Sequence, residues 1–391
     1  MIVRSRRVRV TAVTLGAVLA LTAGCSFGPP DPDEQGAPPN LPAPSTDASG
    51  QSAAPPGGDQ EVAITVLAKG LDVPWGIGFL PDGSALVTER DTARILKVGP
   101  GSDAEGLTVT EAQRLTEVQA SGDGGLLGIA VSPKYETDKL VYVYYSTKTD
   151  NRIGKLTLGG KLQPILTGIP RSADQNGGQL AFGPDGYLYA GTGDGSANNA
   201  QAQNAKSLGG KILRMTTAGK PAPGNPVKTS LVWSSGHRDV QGFAWDQTKR
   251  MYASENGQAK SGELNVIAKG KNYGWPKADG PGTDAKLTNP LYSWPIADSS
   301  CAGVATLEQI VATACLDGKR VYLLNVTGNG TVLGTPQAIL TGEYGRLRAL
   351  VTAPDGSLWA TTSNQEDAGE PAPDDDRILR LVFSDGGAGR S

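Results

Sequence analysis

The sequence predicts an all-β protein, a six-bladed β-propeller, and three observations carry that expectation. Glycine and proline are abundant, 53 and 27 of 391 residues, which favours many turns over long helices. Stretches that alternate apolar and polar residues, the period of a half-buried strand, recur along most of the chain. One plan also repeats: an apolar strand, a turn carrying Pro-Asp-Gly or a substitute, and a second alternating strand. It appears in "WGIGFLPDGSALVTERDTARILKV" from Trp75, "GGQLAFGPDGYLYAGTGD" from Gly177, "QGFAWDQTKRMYASENG" from Gln241 and "RALVTAPDGSLWATTSN" from Arg348. "GLLGIAVSP" and "KRVYLLNVTGNGTVLG" add further hairpins. Four-stranded units repeated about an axis make a propeller, and about six fit between Glu61 and Phe383. The ring is expected to close by pairing "EVAITVLA" with the final "RILRLVF".

The elements follow in chain order. Residues 1–24 read as a lipoprotein signal peptide: basic "MIVRSRRVRV", apolar "TAVTLGAVLALTAG", and small residues Thr22, Ala23 and Gly24 before Cys25. Cys25 would carry the lipid and begin the mature chain, which places the protein on the extracytoplasmic face of a cell membrane. The apolar run is short for a membrane-spanning helix. Residues 25–60 are dense in Pro, Ser, Gly and Asp with few large apolar side chains, the composition of a disordered tether. Residues 61–385 form the propeller and 386–391 a flexible tail.

The formal charge is -3, and removal of Arg4, Arg6, Arg7 and Arg9 with the signal takes it to about -7. That sign argues against a nucleic-acid partner. Beyond Cys25 only Cys301 and Cys315 remain. In an exported protein two nearby cysteines most simply form a disulfide, the alternative being two free thiols. "GTGDGS" at Gly191 lacks the following helix of a phosphate loop, and "DGSANN" at Asp194 lacks the closing glutamate of a calcium loop.

The stretches "VPWGIGFLPDG", "GGLLGIAVSP", "NGGQLAFGPDGYLYAGTGD", "LGGKILRM", "GHRDVQGFAWD", "ELNVIAKGKNYGWP" and "GEYGRLRALVTAPDGSLWATTSN" form a specific set. Through them the chain from about Val73 to Leu381 resembles the soluble glucose/sorbosone, or aldose sugar, dehydrogenases that use pyrroloquinoline quinone. "GHR…QG" and "NYGWP" are the most diagnostic. The resemblance implies a quinoprotein that oxidises an aldose at C1 by hydride transfer to the quinone and passes electrons to an acceptor.

The resemblance also implies a site. The cofactor is a flat tricarboxylate, suited to guanidinium forks and a planar wall. Arg238 matches an arginine near the cofactor, and Arg346 and Arg348 match the pair that grips its carboxylates. Alternate positions on a strand put both on one face. Glu263, with the backbone carbonyl of Tyr273, matches a calcium site, and oxygen donors suit that hard cation.

Departures from the pattern are equally specific. Gln175 stands where the family has its histidine base, and an amide cannot take a proton. The chain's single histidine, His237, matches a structural position. Asp239 replaces an asparagine beside the quinone, Asp123 replaces a Gln or Glu, Asp317 falls where a basic residue is common, and Gly262 replaces an aspartate. A carboxylate whose pKa is raised by burial, Asp174 or Asp239, is the candidate replacement base. The alternative reading is a non-catalytic propeller lipoprotein that binds a sugar, cell-wall glycan or protein partner, with Trp75, Tyr344 and Trp359 as stacking surfaces or as core.

Overall fold

A computed structural model describes residues 62–100, 107–195, 199–258, 260–366 and 371–383. The expected signal peptide, Cys25, the expected tether and the expected tail lie outside the described residues. Strand β1 (Val62–Ala68) precedes five sheets, each built from consecutive strands. They are β2 (Pro74–Phe79), β3 (Ala85–Glu89), β4 (Arg94–Pro100) and β5 (Leu107–Arg114); then β6 (Leu126–Val131), β7 (Leu140–Ser146), β8 (Asn151–Thr157) and β9 (Gln163–Ile169). Next come β10 (Gly177–Phe182), β11 (Leu188–Thr192), β12 (Lys211–Met215) and β13 (Val232–Ser235). The fourth sheet holds β14 (Val240–Trp245), β15 (Met251–Glu255), β16 (Ser261–Ile267) and β17 (Tyr292–Pro295). The fifth holds β18 (Cys301–Leu307), β19 (Ile310–Cys315), β20 (Arg320–Val326) and β21 (Val332–Ile339). The sixth is β22 (Leu347–Thr352), β23 (Leu358–Thr362) and β24 (Ile378–Phe383), completed by β1.

These six antiparallel sheets are the blades. Their innermost strands touch in turn, β2 to β6, β10, β14, β18 and β22, and β22 returns to β2. The ring closes as the sequence predicts: β1 pairs antiparallel with β24, from Val62 opposite Phe383 to Ala68 opposite Ile378. Reciprocal backbone bonds between Leu71 and Asp376, at 3.0 and 2.9 Å, extend the join.

Apolar side chains from neighbouring blades form the core between them. Leu86 and Ile95 of the first blade, for example, meet Leu126, Ile129, Val141 and Val143 of the second. Each such side chain, fully buried, contributes about 1.5–3 kcal/mol. Trp359 belongs to this core, 1% exposed and edge-on to Phe79, so it is no stacking surface.

Near the axis the blades come too close for side chains. A Cβ on Gly242 would lie 2.0 Å from the Ala302 carbonyl oxygen, and one on Gly303 would lie 2.1 Å from the Leu350 nitrogen. The small residue inside each inner strand is therefore a packing requirement. Every inner hairpin also breaks register near the start of its inner strand, as between Val240 and Gly242 or Leu347 and Leu350. A bulge re-aims the side chains around it, and here several of those side chains line one central pit.

Cys301 and Cys315 stand opposite each other in β18 and β19 and are joined as a disulfide. The predicted pairing holds, and it ties the chain on either side of Ser300 and Leu316, both of which line the pit.

Candidate active site

The pit has a volume of about 180 Å3 and is lined by Trp75, Asp123, Asp239, Gln241, Arg346 and Arg348, with Glu366 at its wall. A larger groove of about 500 Å3 adjoins it, shares only Arg346 with it, and contains Tyr344 and Arg377. Buried charge converges on the smaller cavity, which is where chemistry is expected.

Arg346 precedes β22 and Arg348 lies within it, so the bulge turns both into the same wall. Both hold one carboxylate. Arg348 Nη2 donates to Glu366 Oε1 and Oε2 at 2.9 and 3.0 Å, and Arg346 Nη2 donates to Oε2 at 3.4 Å. Arg90, from the first blade, adds a bond from Nη1 to Oε1, and Ser363 Oγ donates to Oε2 at 3.1 Å. Burial opposes ionisation of Glu366, but Arg348, Arg90 and Arg346 outweigh it and hold the carboxyl well below the usual range. Asp317 does not oppose the arginines at a distance; it accepts directly from Arg346 Nη1 and from Ser300 Oγ. The Nε atoms of Arg346 and Arg348 are buried with no acceptor.

Asp239 is 3% exposed. Its Oδ1 accepts from the Gly177 backbone N–H at 2.8 Å and its Oδ2 from Gln241 Nε2 at 2.7 Å. Gln241 Oε1 in turn accepts from Arg348 Nη1 at 3.2 Å. Burial pushes the Asp239 carboxyl up to about 7, against the pull of these hydrogen bonds and of Arg238. Asp123 is also raised by burial, with Arg348 opposing. Burial thus raises two carboxyls in one pit, Asp239 to about 7, while Glu366 is held ionised beside them.

Arg238 and Gln175 are not part of this lining. Arg238 Nη1 donates to the carbonyls of Asn256 and Gly257 at 3.0 and 2.8 Å, and the guanidinium lies over the Trp275 ring at 5.5 Å. Its Nε, too, lacks an acceptor. Gln175 adopts φ of 57°. With its amide turned to satisfy both neighbours, its nitrogen donates to Asp194 Oδ1 at 3.0 Å and its oxygen accepts from Arg238 Nη2. Asp174 is exposed and lines neither cavity.

His237 is fully buried, bonded to Ser234 Oγ at 2.8 Å and Glu255 Oε1 at 3.1 Å and stacked on Tyr273. Glu263 sits cross-strand from Glu255, and Asn265 Nδ2 donates to both, at 3.2 and 2.7 Å. Gly280 N–H donates to the other oxygen of Glu263 at 2.7 Å. Burial, then the Glu255 charge, pushes Glu263 up to about 8. A Cβ on Gly262 would meet Ser299 Cβ at 2.6 Å, so this backbone has no room for an aspartate. Tyr273 uses its hydroxyl on the Val266 carbonyl at 2.6 Å.

Three contributors escaped the sequence reading: Glu366, Arg90 and Gln241. Gln241 carried a signal, since it lies two residues beyond Asp239, a spacing that puts both side chains on one strand face. Arg90 and Glu366 are 276 positions apart and meet only when the ring closes.

Comparison with known proteins bears on the chain's family. Residues 71–370 match the family model described as Glucose / Sorbosone dehydrogenase. An uncharacterised protein of Synechocystis is 35% identical over 245 residues, 55% of this chain, and the chain spans 59% of that relative's length. An aldose sugar dehydrogenase of Escherichia coli is 29% identical over 352 residues, covering 79% of this chain and 91% of that one. Among solved structures, a quinone-bound aldose sugar dehydrogenase of Streptomyces coelicolor superposes with a TM-score of 0.79 at 44% identity, over 85% of this chain and all of that one. The propeller, the arginine-lined pit and these matches agree: the chain belongs to the glucose/sorbosone dehydrogenase family.

Proposed function

We propose that the protein is an extracytoplasmic, lipid-anchored sugar dehydrogenase that uses pyrroloquinoline quinone, with Asp239 in place of the missing histidine base. The observation that carries this reading is the pairing of a carboxylate-binding arginine cluster with a buried carboxyl near 7 in one pit. The residues fit the cofactor's chemistry. Glu366 already stands in for a ligand carboxylate on Arg346 and Arg348, their Nε atoms have donors to spare, and Trp75 offers a flat wall. When bound, the quinone would supply the two-electron acceptor for the sugar's C1 hydride. Asp239 would take the C1 hydroxyl proton, giving a lactone. Gln241 and the Gly177 N–H orient its carboxylate, and Arg348 fixes Gln241. A carboxyl near 7 is matched to proton transfer at neutral pH.

No step of this mechanism is routed through calcium, for which Glu263 and the Tyr273 carbonyl are the expected ligands. That ion takes six to eight oxygen ligands, and among the described residues no three His, Cys, Asp or Glu side chains converge to hold a metal. Both oxygens of Glu263 accept from protein donors instead. The non-catalytic alternative draws its support from Gln175, whose amide is tied to Asp194 and Arg238 and cannot act as a base.

The deciding experiment titrates the quinone into the purified chain, with and without calcium, and follows absorbance on adding an aldose. Reduction by wild type and its loss in Asp239→Asn is expected. Tight binding with no reduction by any aldose would overturn the enzyme reading.

A further inference from the structure

We infer that Glu366 is a built-in competitor for the ligand's carboxylate: it fills the cradle of Arg90, Arg346 and Arg348, and an anionic ligand enters only by displacing it. The inference rests on the reading of the pit as an anion site. The contacts resemble those of a bound ligand, with Arg348 Nη2 reaching both carboxylate oxygens and single bonds from Arg346, Arg90 and Ser363. Such charge-assisted pairs are the strong ones.

Charge balance shows why displacement is required. Arg90 also holds Asp91, by bonds of 2.7 and 3.1 Å, and Arg346 also holds Asp317. With Glu366 in place, three guanidinium groups face three carboxylates, and Asp123 stands nearby in the same pit. No net positive charge is left for an incoming polyanion. Removing Glu366 from the cradle frees one cationic charge and Arg348 Nη2 together. Exchange of one carboxylate for another leaves no arginine buried and unpaired, which keeps the swap inexpensive.

Position permits the movement. Glu366 lies beyond β23, which ends at Thr362, and belongs to no sheet ladder, so its side chain can leave without breaking strand pairing. Arg348, by contrast, lies within β22, and the Arg346 backbone beside it is tied by the Ser363 N–H to its carbonyl at 2.9 Å and by its own N–H to Asn364 Oδ1 at 2.8 Å. An internal anion of this kind lowers apparent affinity by the fraction of molecules in which the cradle is open. A purely structural ion pair joining the first and sixth blades makes the opposite prediction, because its loss would loosen the cradle.

The test titrates benzene-1,3,5-tricarboxylate and, separately, pyrroloquinoline quinone into the full chain by calorimetry. Glu366→Gln is expected to bind the tricarboxylate at least tenfold more tightly than wild type. Glu366→Asp keeps the charge on a shorter arm, serves if the amide variant fails to fold, and is expected to show a smaller gain. Unchanged or weaker tricarboxylate binding in folded variants would overturn the proposal. If both proteins bind the quinone equally and turn over sugar, the competitor fails while the dehydrogenase reading stands. If Glu366→Gln gains affinity for the tricarboxylate and neither protein binds quinone, the competitor stands and the dehydrogenase reading falls.

Discussion

Gln241 Nε2 donates to Asp239 Oδ2 at 2.7 Å, and with the Gly177 N–H it eases ionisation of a carboxyl that burial pushes up. A donor to the charged form lowers a pKa. Gln241→Leu removes the donor, so the Asp239 carboxyl should rise further above 7. The acid limb of kcat/KM for sugar oxidation should then move to higher pH, while Gln241→Asn restores part of the shift. A limb that stays in place in Gln241→Leu would show that Asp239 is not the base.

Asp239 itself is expected to dominate the chemistry. Asp239→Asn keeps size and one acceptor but cannot take a proton, and loss of a general base typically costs about 10²–10⁴-fold in rate. Quinone affinity should change far less than turnover, which separates a role in proton transfer from one in binding. In wild type, activity should fall as pH drops through about 7, because the carboxyl is then protonated.

The same carboxyl should leave a mark on stability. Its folded value, about 7, lies above the ordinary 3.8, so the fold binds more protons than the unfolded chain between those limits. Stability from this group is fully present below pH 4 and is lost as pH rises through 7, by on the order of 4 kcal/mol. Urea denaturation at pH 5 and pH 8 should therefore show a smaller drop with rising pH in Asp239→Asn than in wild type. Equal drops in the two proteins would contradict the burial that raises this group.

Much of the fold was legible because its causes are local. Pro-Asp-Gly turns recur in the first, third and sixth blades, period-2 strands recur along the chain, and the closing pair β1 and β24 reads as two alternating apolar runs. The arginine pair was legible through the family resemblance, since two arginines one residue apart otherwise mark only a common strand face. Glu366 was not, because its role exists only where loops from the first and sixth blades meet, and a lone glutamate in "SNQED" has no periodic signal. Arg238 matched a sequence motif, yet its guanidinium is drawn to the carbonyls of Asn256 and Gly257. Position in a motif fixed its backbone, and neighbouring acceptors fixed its side chain.

The inner-strand glycines give a sharp contrast in tolerance. Gly242→Ala puts a Cβ against a backbone carbonyl that cannot move without shifting β18, and should cost about 4 kcal/mol or more, or prevent folding. Gly328→Ala, where a Cβ meets nothing within 4 Å, should change stability by no more than about 0.5 kcal/mol. Thermal melts of the pair check the axis packing directly.

The disulfide joins stability to the site. Cys301 and Cys315 close a short loop, 14 positions apart, and removing both sulfurs with Cys301→Ala and Cys315→Ala should cost about 3 kcal/mol by loop entropy. Ser300 and Leu316 flank the two cysteines and line the pit, and Ser300 Oγ donates to Asp317, which holds Arg346. Loosening this corner frees Arg346 from a fixed geometry, so tricarboxylate binding should weaken along with stability. Denaturant unfolding and calorimetry on the same double variant separate the two effects. A protein destabilised as expected but unchanged in anion affinity would mean that Asp317 holds Arg346 without help from the disulfide.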